Sequence, residues 1–154
     1  MILLHSQVTK SMTDMVFNGR YAGVFLCDKH IMPKRKTAGS AGYDFIAPQT
    51  VVVPAHKYIQ FDTGVQVRMR KGFLFELYIR SSLGRRGLTL TNAVGIIDSD
   101  YHDNMQALIM NNSDEDYTIY KGERYMQGIF KRYYITDNDN AEGVRNGGLG
   151  STGK

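Results

Sequence analysis

The sequence carries one cysteine, Cys27, so it cannot close an intramolecular disulfide, and a reducing compartment is the expected setting. It also lacks long apolar runs. The opening Met-Ile-Leu-Leu is broken at once by His5, Ser6 and Gln7. That is too short for a secretory signal core, and no later stretch nears the roughly 20 residues that span a bilayer. A cytoplasmic protein with no membrane partner is expected. Charge of one sign is not in large excess either: 19 Lys and Arg face 15 Asp and Glu, a net +4. Such a balance permits a nucleic acid or a small polyanion as partner without demanding one. The densest basic stretch, KHIMPKRK at 29–36, has neither interleaved aromatics nor helical spacing. It reads first as a solvated loop beside a strand, with a nucleic-acid arm as the alternative.

What is present is strand character. The chain has 154 residues, of which 42% are hydrophobic and 22% charged. That suits one domain burying about 70% of its unfolded surface. Segments 22–27, 50–54, 58–69, 72–80, 105–112, 116–120 and 124–135 are rich in Val, Ile, Tyr and Phe, and Gly, Asn, Asp and Pro punctuate them. In 73–80 the residues alternate, Phe73, Phe75, Leu77 and Ile79 against Leu74, Glu76, Tyr78 and Arg80. Only 6–20 has weak helical character, and no internal repeat is found. The expectation is an all-β domain, two packed sheets or a jelly-roll-like barrel, over 21–136. Residues 1–20 form an extension or first strand, and the glycine-rich, polar 137–154 a mobile tail.

The tail ends GGLGSTGK, where Gly148, Gly153 and Lys154 fit the spacing of a phosphate-cradling loop. Such a loop follows a strand, and the preceding DNDNAEGVRN has no strand character. Four other loops gather polar groups. TAGSAGYDFIAP (37–48) leads glycines into Asp44, although a plain strand-entry turn has the same look. IRSSLGRRGL (79–88) offers Arg80, two hydroxyls and free backbone N–H groups, the donors that phosphate oxygens need; a capped turn with solvated Arg85 and Arg86 is the plainer reading. TNAVGIIDSDYHDN (91–104) spaces Asp98, Asp100 and Asp103 loosely like a calcium loop. It lacks the glycine and the glutamate of an EF-hand, so that reading fails. It does deliver Asp98 from an apolar pair, Ile96 and Ile97, with Tyr101 three residues on. A carboxylate so placed can take a proton from water, and the ring can pack a sugar or base. KGERYMQGIF (121–130) turns into a strand carrying Glu123, Arg124 and Gln127.

Taken together and in this order, the loops resemble the five motifs of the trimeric dUTPases (deoxyuridine triphosphate nucleotidohydrolases). AGSAGYDF, RSSLG, NAVGIIDSDY, KGERYMQ and GGLGSTG stand for the first to the fifth, over about 38–153. The third is the most specific. The resemblance implies a distorted β jelly roll of the β-clip kind with a flexible C-terminal arm, and a homotrimer with shared active sites. It implies hydrolysis of dUTP to dUMP and pyrophosphate by water attack on the α-phosphorus, which lowers dUTP and supplies dUMP for thymidylate synthesis. Asp98 would orient and deprotonate the water. Asn92, with the backbone of the hairpin at Gly95 and Ile97, would read the uracil. Tyr101 would lie under the deoxyribose and exclude a 2′-hydroxyl. Ser81, Ser82 and Gln127 would hold phosphates, with Arg80 adding charge or locking the interface. Mg2+ would be the cofactor, contacted by Asp44 through water. Leu149, Gly150, Ser151 and Thr152 would close as a lid, with Arg145 toward the γ-phosphate.

The sequence departs from that pattern in three places. Leu149 stands where the family has an aromatic ring, so base cover there is apolar without a π-face, which implies weaker lid closure. Arg145 precedes Leu149 by four residues, where the family's arginine lies five before its aromatic. Asp103 occupies a common glycine position. The rival readings are a dCTP deaminase of the same fold, which Tyr101 argues against, and a nucleotide-gated module acting through a regulatory protein partner. Nucleic-acid binding ranks last.

Overall fold

The computed structural model describes residues 21–147. Among the described residues there are eleven strands and one turn of helix: β1 Gly23–Leu26, β2 Tyr43–Ile46, β3 Val51–Val53, β4 Tyr58–Asp62, β5 Gln66–Met69, β6 Phe73–Ile79, α1 Ser81–Gly84, β7 Leu88–Leu90, β8 Gly95–Ile97, β9 Gln106–Asn111, β10 Tyr117–Ile119 and β11 Arg124–Arg132. All the pairings are antiparallel. They form a four-stranded sheet β2-β11-β6-β8, a three-stranded sheet β4-β9-β7, and the two ladders β1-β5 and β3-β10. The all-β, jelly-roll-like expectation holds. The helix-prone 6–20 and the lid residues Leu149, Gly150, Ser151 and Thr152 lie outside the described residues.

The alternation read in 73–80 is realised. Phe75 and Leu77 are buried, while Glu76 and Tyr78 face the other side, half-buried and bonded to each other and to Lys131. The stretch 58–69 is two strands, not one. Asp62 Oδ1 accepts the Gly64 N–H at 2.6 Å, and Gly64 has φ 71°. That is an Asx-type turn in which glycine takes the left-handed residue. Thr63 is wholly buried in the corner, where its hydroxyl donates to the Met105 carbonyl at 2.8 Å.

The core centres on Phe25 of β1, whose ring meets Tyr43 at 5.2 Å, Phe75 at 5.5 Å, Phe130 at 5.8 Å and Phe45 at 6.4 Å. Burying each such side chain contributes about 1.5–3 kcal/mol. This cluster fastens β1 to the four-stranded sheet, and that sheet carries most of the polar loops.

Candidate functional site

Two separate polar groups emerge. The first surrounds Asp98, the residue that leaves β8. The chain reaches it by crossing between sheets, since β7 pairs with β9 and β8 pairs with β6. The crossing turn, 91–94, is tight: the Ala93 N–H bonds the Leu90 carbonyl at 3.0 Å, and Ala93 holds φ 62°. A non-glycine residue there stores of order 1 kcal/mol of strain. Asn92 is exposed on this turn, Gly95 and Ile97 are buried behind it, and Ile96 is 60% exposed. A Cβ on Gly95 would lie 3.1 Å from that of Leu77, so glycine lets β8 run close over β6.

Asp98 and Asp100 are both exposed on a turn closed by the Tyr101 N–H to the Asp98 carbonyl at 3.1 Å. Arg145 joins them. Its Nη2 donates to Asp98 Oδ2, its Nε donates to Asp100 Oδ1 at 2.9 Å, and its guanidinium lies 5.9 Å from the Tyr101 ring centre. Asp100 above all, with Asp98, holds the Arg145 guanidinium in its charged form. Tyr101 is buried and donates its hydroxyl to the Asn104 carbonyl at 3.0 Å. Burial first, then Asp103 and Asp62, pushes its phenol above the usual range, and Arg145 opposes them. The tail expected from 137–154 therefore has no strand or helix over 137–147, yet it is tied down at Arg145.

The second group surrounds Asp44 of β2. Its Oδ1 pairs with Arg80 Nε at 3.2 Å and its Oδ2 with Arg124 Nη1 at 3.0 Å. Arg80 also donates to the Arg124 carbonyl at 3.1 Å. Gln127 stands directly across from Asp44. Its amide occupies the space that a Cβ on Gly42 would take, 2.4 Å from Gln127 Oε1. Ser81 and Ser82 follow Arg80 as the exposed start of α1. The sequence draws attention to Arg124 and Asp100 but assigns neither a place in the site; spacing alone gives no signal that Arg124 meets Asp44, because a β-bulge between Arg124 and Met126 sets its direction. Glu123 caps its own turn, accepting the Tyr120 N–H at 3.1 Å.

The two groups are not neighbours within one chain. Ile97, which precedes Asp98, lies opposite Phe75, and Phe75 is five residues before Arg80, roughly 17 Å at about 3.4 Å per strand residue. The Asp98 group and the Asp44, Arg80 and Arg124 group therefore lie at opposite ends of β6. Among the described residues no three His, Cys, Asp or Glu side chains gather as a metal cage. No described helix is long and apolar enough to cross a membrane.

Comparison with known proteins gives one answer. The dUTPase family model matches residues 28–153. The deoxyuridine 5'-triphosphate nucleotidohydrolase of Lactococcus lactis is 40% identical over 131 residues, 79% of this chain and 87% of that protein. Its namesake from Paramecium bursaria Chlorella virus 1 is 35% identical over 136 residues, 83% and 94% of the two chains. The crystal structure of the dUTPase from Streptococcus mutans, 31% identical, superposes with a TM-score of 0.69 over 77% of this chain and all of that one. A match that spans the buried β8, both polar groups and the arm leaves one assignment: this chain belongs to the dUTPase family.

Proposed function

We propose that the chain hydrolyses dUTP to dUMP and pyrophosphate, and that it does so as a trimer whose sites draw on more than one subunit. The observation that carries the shared site is the separation along β6. A triphosphate is far shorter than the roughly 17 Å between the Asp98 end and the Arg80 end, so one chain's base must work with another's phosphate cradle.

In that arrangement Asp98 orients and deprotonates water for in-line attack on the α-phosphorus. Its 55% exposed side chain leaves room for the water once Arg145 has moved to the phosphates. Asn92 and the backbone of Gly95 and Ile97 read uracil, and the Tyr101 ring, fixed through Asn104, supports the deoxyribose. From the neighbouring cradle, Ser81, Ser82 and Gln127 donate to phosphate oxygens while Arg80 supplies charge. Leu149, Gly150, Ser151 and Thr152 complete the cover and keep other water out.

The donor set fits Mg2+ carried by the triphosphate and its own waters. Each Asp44 oxygen accepts one guanidinium and keeps lone-pair capacity for a metal-bound water. When bound, the ion would neutralise charge on the departing pyrophosphate. A reducing cytosol is the proposed setting, with Cys27 as an unoxidised thiol that burial pushes above its ordinary range.

Pyrophosphate release with Mg2+ from dUTP, dTTP, dCTP and UTP in parallel tests the activity. Release from dUTP alone, lost in Asp98→Asn, is expected; equal release from UTP would refute the sugar reading. Light scattering on the eluting protein tests the trimer, and a monomer of full activity would refute the shared site.

A further inference from the structure

The basic stretch at 29–36 takes no part in the chemistry above, yet it folds against the same face. Lys34 forms a backbone bridge with Asp44: the Asp44 N–H reaches the Lys34 carbonyl at 2.9 Å, and the Lys34 N–H reaches that of Asp44 at 3.3 Å. Asp44 is opposite Gln127, and Gln127 is opposite Tyr78. Directly opposed residues of antiparallel strands project to one face. Lys34 is therefore the outer member of a row that runs through Asp44 and Gln127, two of the residues assigned to metal water and phosphate.

A cleft of about 440 Å³ opens beside that row, with His30, Lys34, Arg35, Lys36, Asp44 and Arg124 among its walls. Its charges are not equivalent. Arg35 is spent on structure, donating to the Ala38 carbonyl at 2.9 Å and the Ser40 carbonyl at 3.1 Å. The single carboxylate, Asp44, is covered by Arg80 and Arg124. Lys34 and Lys36 both line the cleft, and both are exposed. Neither has a carboxylate partner among the described residues. Two ammonium groups with three donors each, beside the free edge of Arg124, suit a compact and highly charged phosphate chain. No Phe, Tyr or Trp ring lines the cleft, so a base would find no large aromatic face there.

We propose that this cleft is a holding site for free pyrophosphate, next to the face on which the triphosphate is cleaved and on the path by which the leaving half departs. The assignment rests on reading the chain as a dUTP hydrolase. Its consequence is that product inhibition and substrate binding depend on different cations. The lysines would govern pyrophosphate, and Ser81, Ser82, Gln127 and the arm would govern the nucleotide.

The test uses the full chain and the double variant Lys34→Gln/Lys36→Gln, whose side chains are exposed and support no fold contact. dUMP formation is followed with added pyrophosphate, and pyrophosphate is also titrated calorimetrically into each protein. Losing two charged donors is expected to raise the pyrophosphate inhibition constant about tenfold or more, with a much smaller rise in KM for dUTP. The calorimetric affinity should fall in parallel. Unchanged inhibition and affinity would overturn the site. Equal rises in KM and inhibition constant would also overturn it, by showing that the lysines serve the triphosphate itself. Absence of dUTP hydrolysis by the unaltered chain would strike the underlying reading instead, and the titration would still decide whether the cleft binds pyrophosphate.

Discussion

The Arg145 guanidinium lies on the carboxylate of Asp98, 47 positions earlier in the same chain, and on Asp100 through its Nε. Arg145 thus caps its own chain's β8 end, whereas the proposed phosphate cradle of that chain lies at the far end of β6. This geometry makes a definite prediction about mixed trimers. Combine Asp98→Asn chains with chains truncated after Val144, so that base and arm never occur on one chain. If each arm serves its own Asp98, the mixture should show no more dUTP turnover than the two parents added together. Recovery toward the level expected for complemented sites would mean that the arm crosses to a neighbour, and the cis contact would then have no functional role.

Asp98→Asn alone should lower kcat by about 10²–10⁴, the usual contribution of a positioned general base. The side chain is 55% exposed and its ion pair with Arg145 lies at the surface, so the unfolding midpoint should barely move. Retention of even a tenth of the turnover would remove Asp98 from its assigned role.

Much of this was readable from residue order alone, and the failures have physical causes. Alternation in β6 was legible because one face packs on Phe25 and the other does not. β7 and β8 were not read as strands: each has three residues, and their identity comes from pairing with β9 and β6, which no local pattern records. The turn at Gly64 was hidden inside an apolar run whose period continues on both sides. Asp98, Tyr101 and Gln127 could be singled out from their motifs, and the roles proposed for them rest on residue type. The clamp on Asp44 could not, because Arg124 reaches it only through a bulge, and the distance between the two polar groups is a property of strand register.

Tyr125, within the fourth motif, is fully buried against Phe61 at 5.4 Å, and its hydroxyl has no hydrogen-bond partner among the described residues. Burial pushes its phenol far above the ordinary range. An unsatisfied buried hydroxyl costs about 1–3 kcal/mol, so Tyr125→Phe should be neutral or should stabilise by about 1 kcal/mol in urea unfolding. A loss of that size would show that the hydroxyl bonds a partner, an internal water being the obvious one.

Gly128 of β11 lies under the Phe75 ring, and an added Cβ would come within 2.1 Å of Phe75 Cζ. Phe75 is fully buried and packs on Phe25, Phe45 and Phe130, so it has nowhere to retreat. Gly128→Ala should cost about 3 kcal/mol, at the upper end for overpacking a core. A variant as stable as the parent would mean that the aromatic cluster repacks freely.

Asp44→Asn separates a brace from a metal contact. The substitution keeps the volume and removes the charge that two guanidiniums share. Charged hydrogen bonds are worth about 1.5–3 kcal/mol when sheltered, and Arg124 is 39% exposed. After that discount the expected loss is about 1 kcal/mol. The same variant should need several times more Mg2+ for half-maximal dUTP hydrolysis, because its neutral amide binds a metal-bound water less well. If stability falls while the Mg2+ dependence stays unchanged, Asp44 only holds Arg80 and Arg124 in place. A shifted Mg2+ dependence with intact stability would place the carboxylate on the ion's water shell and make the arginine clamp secondary.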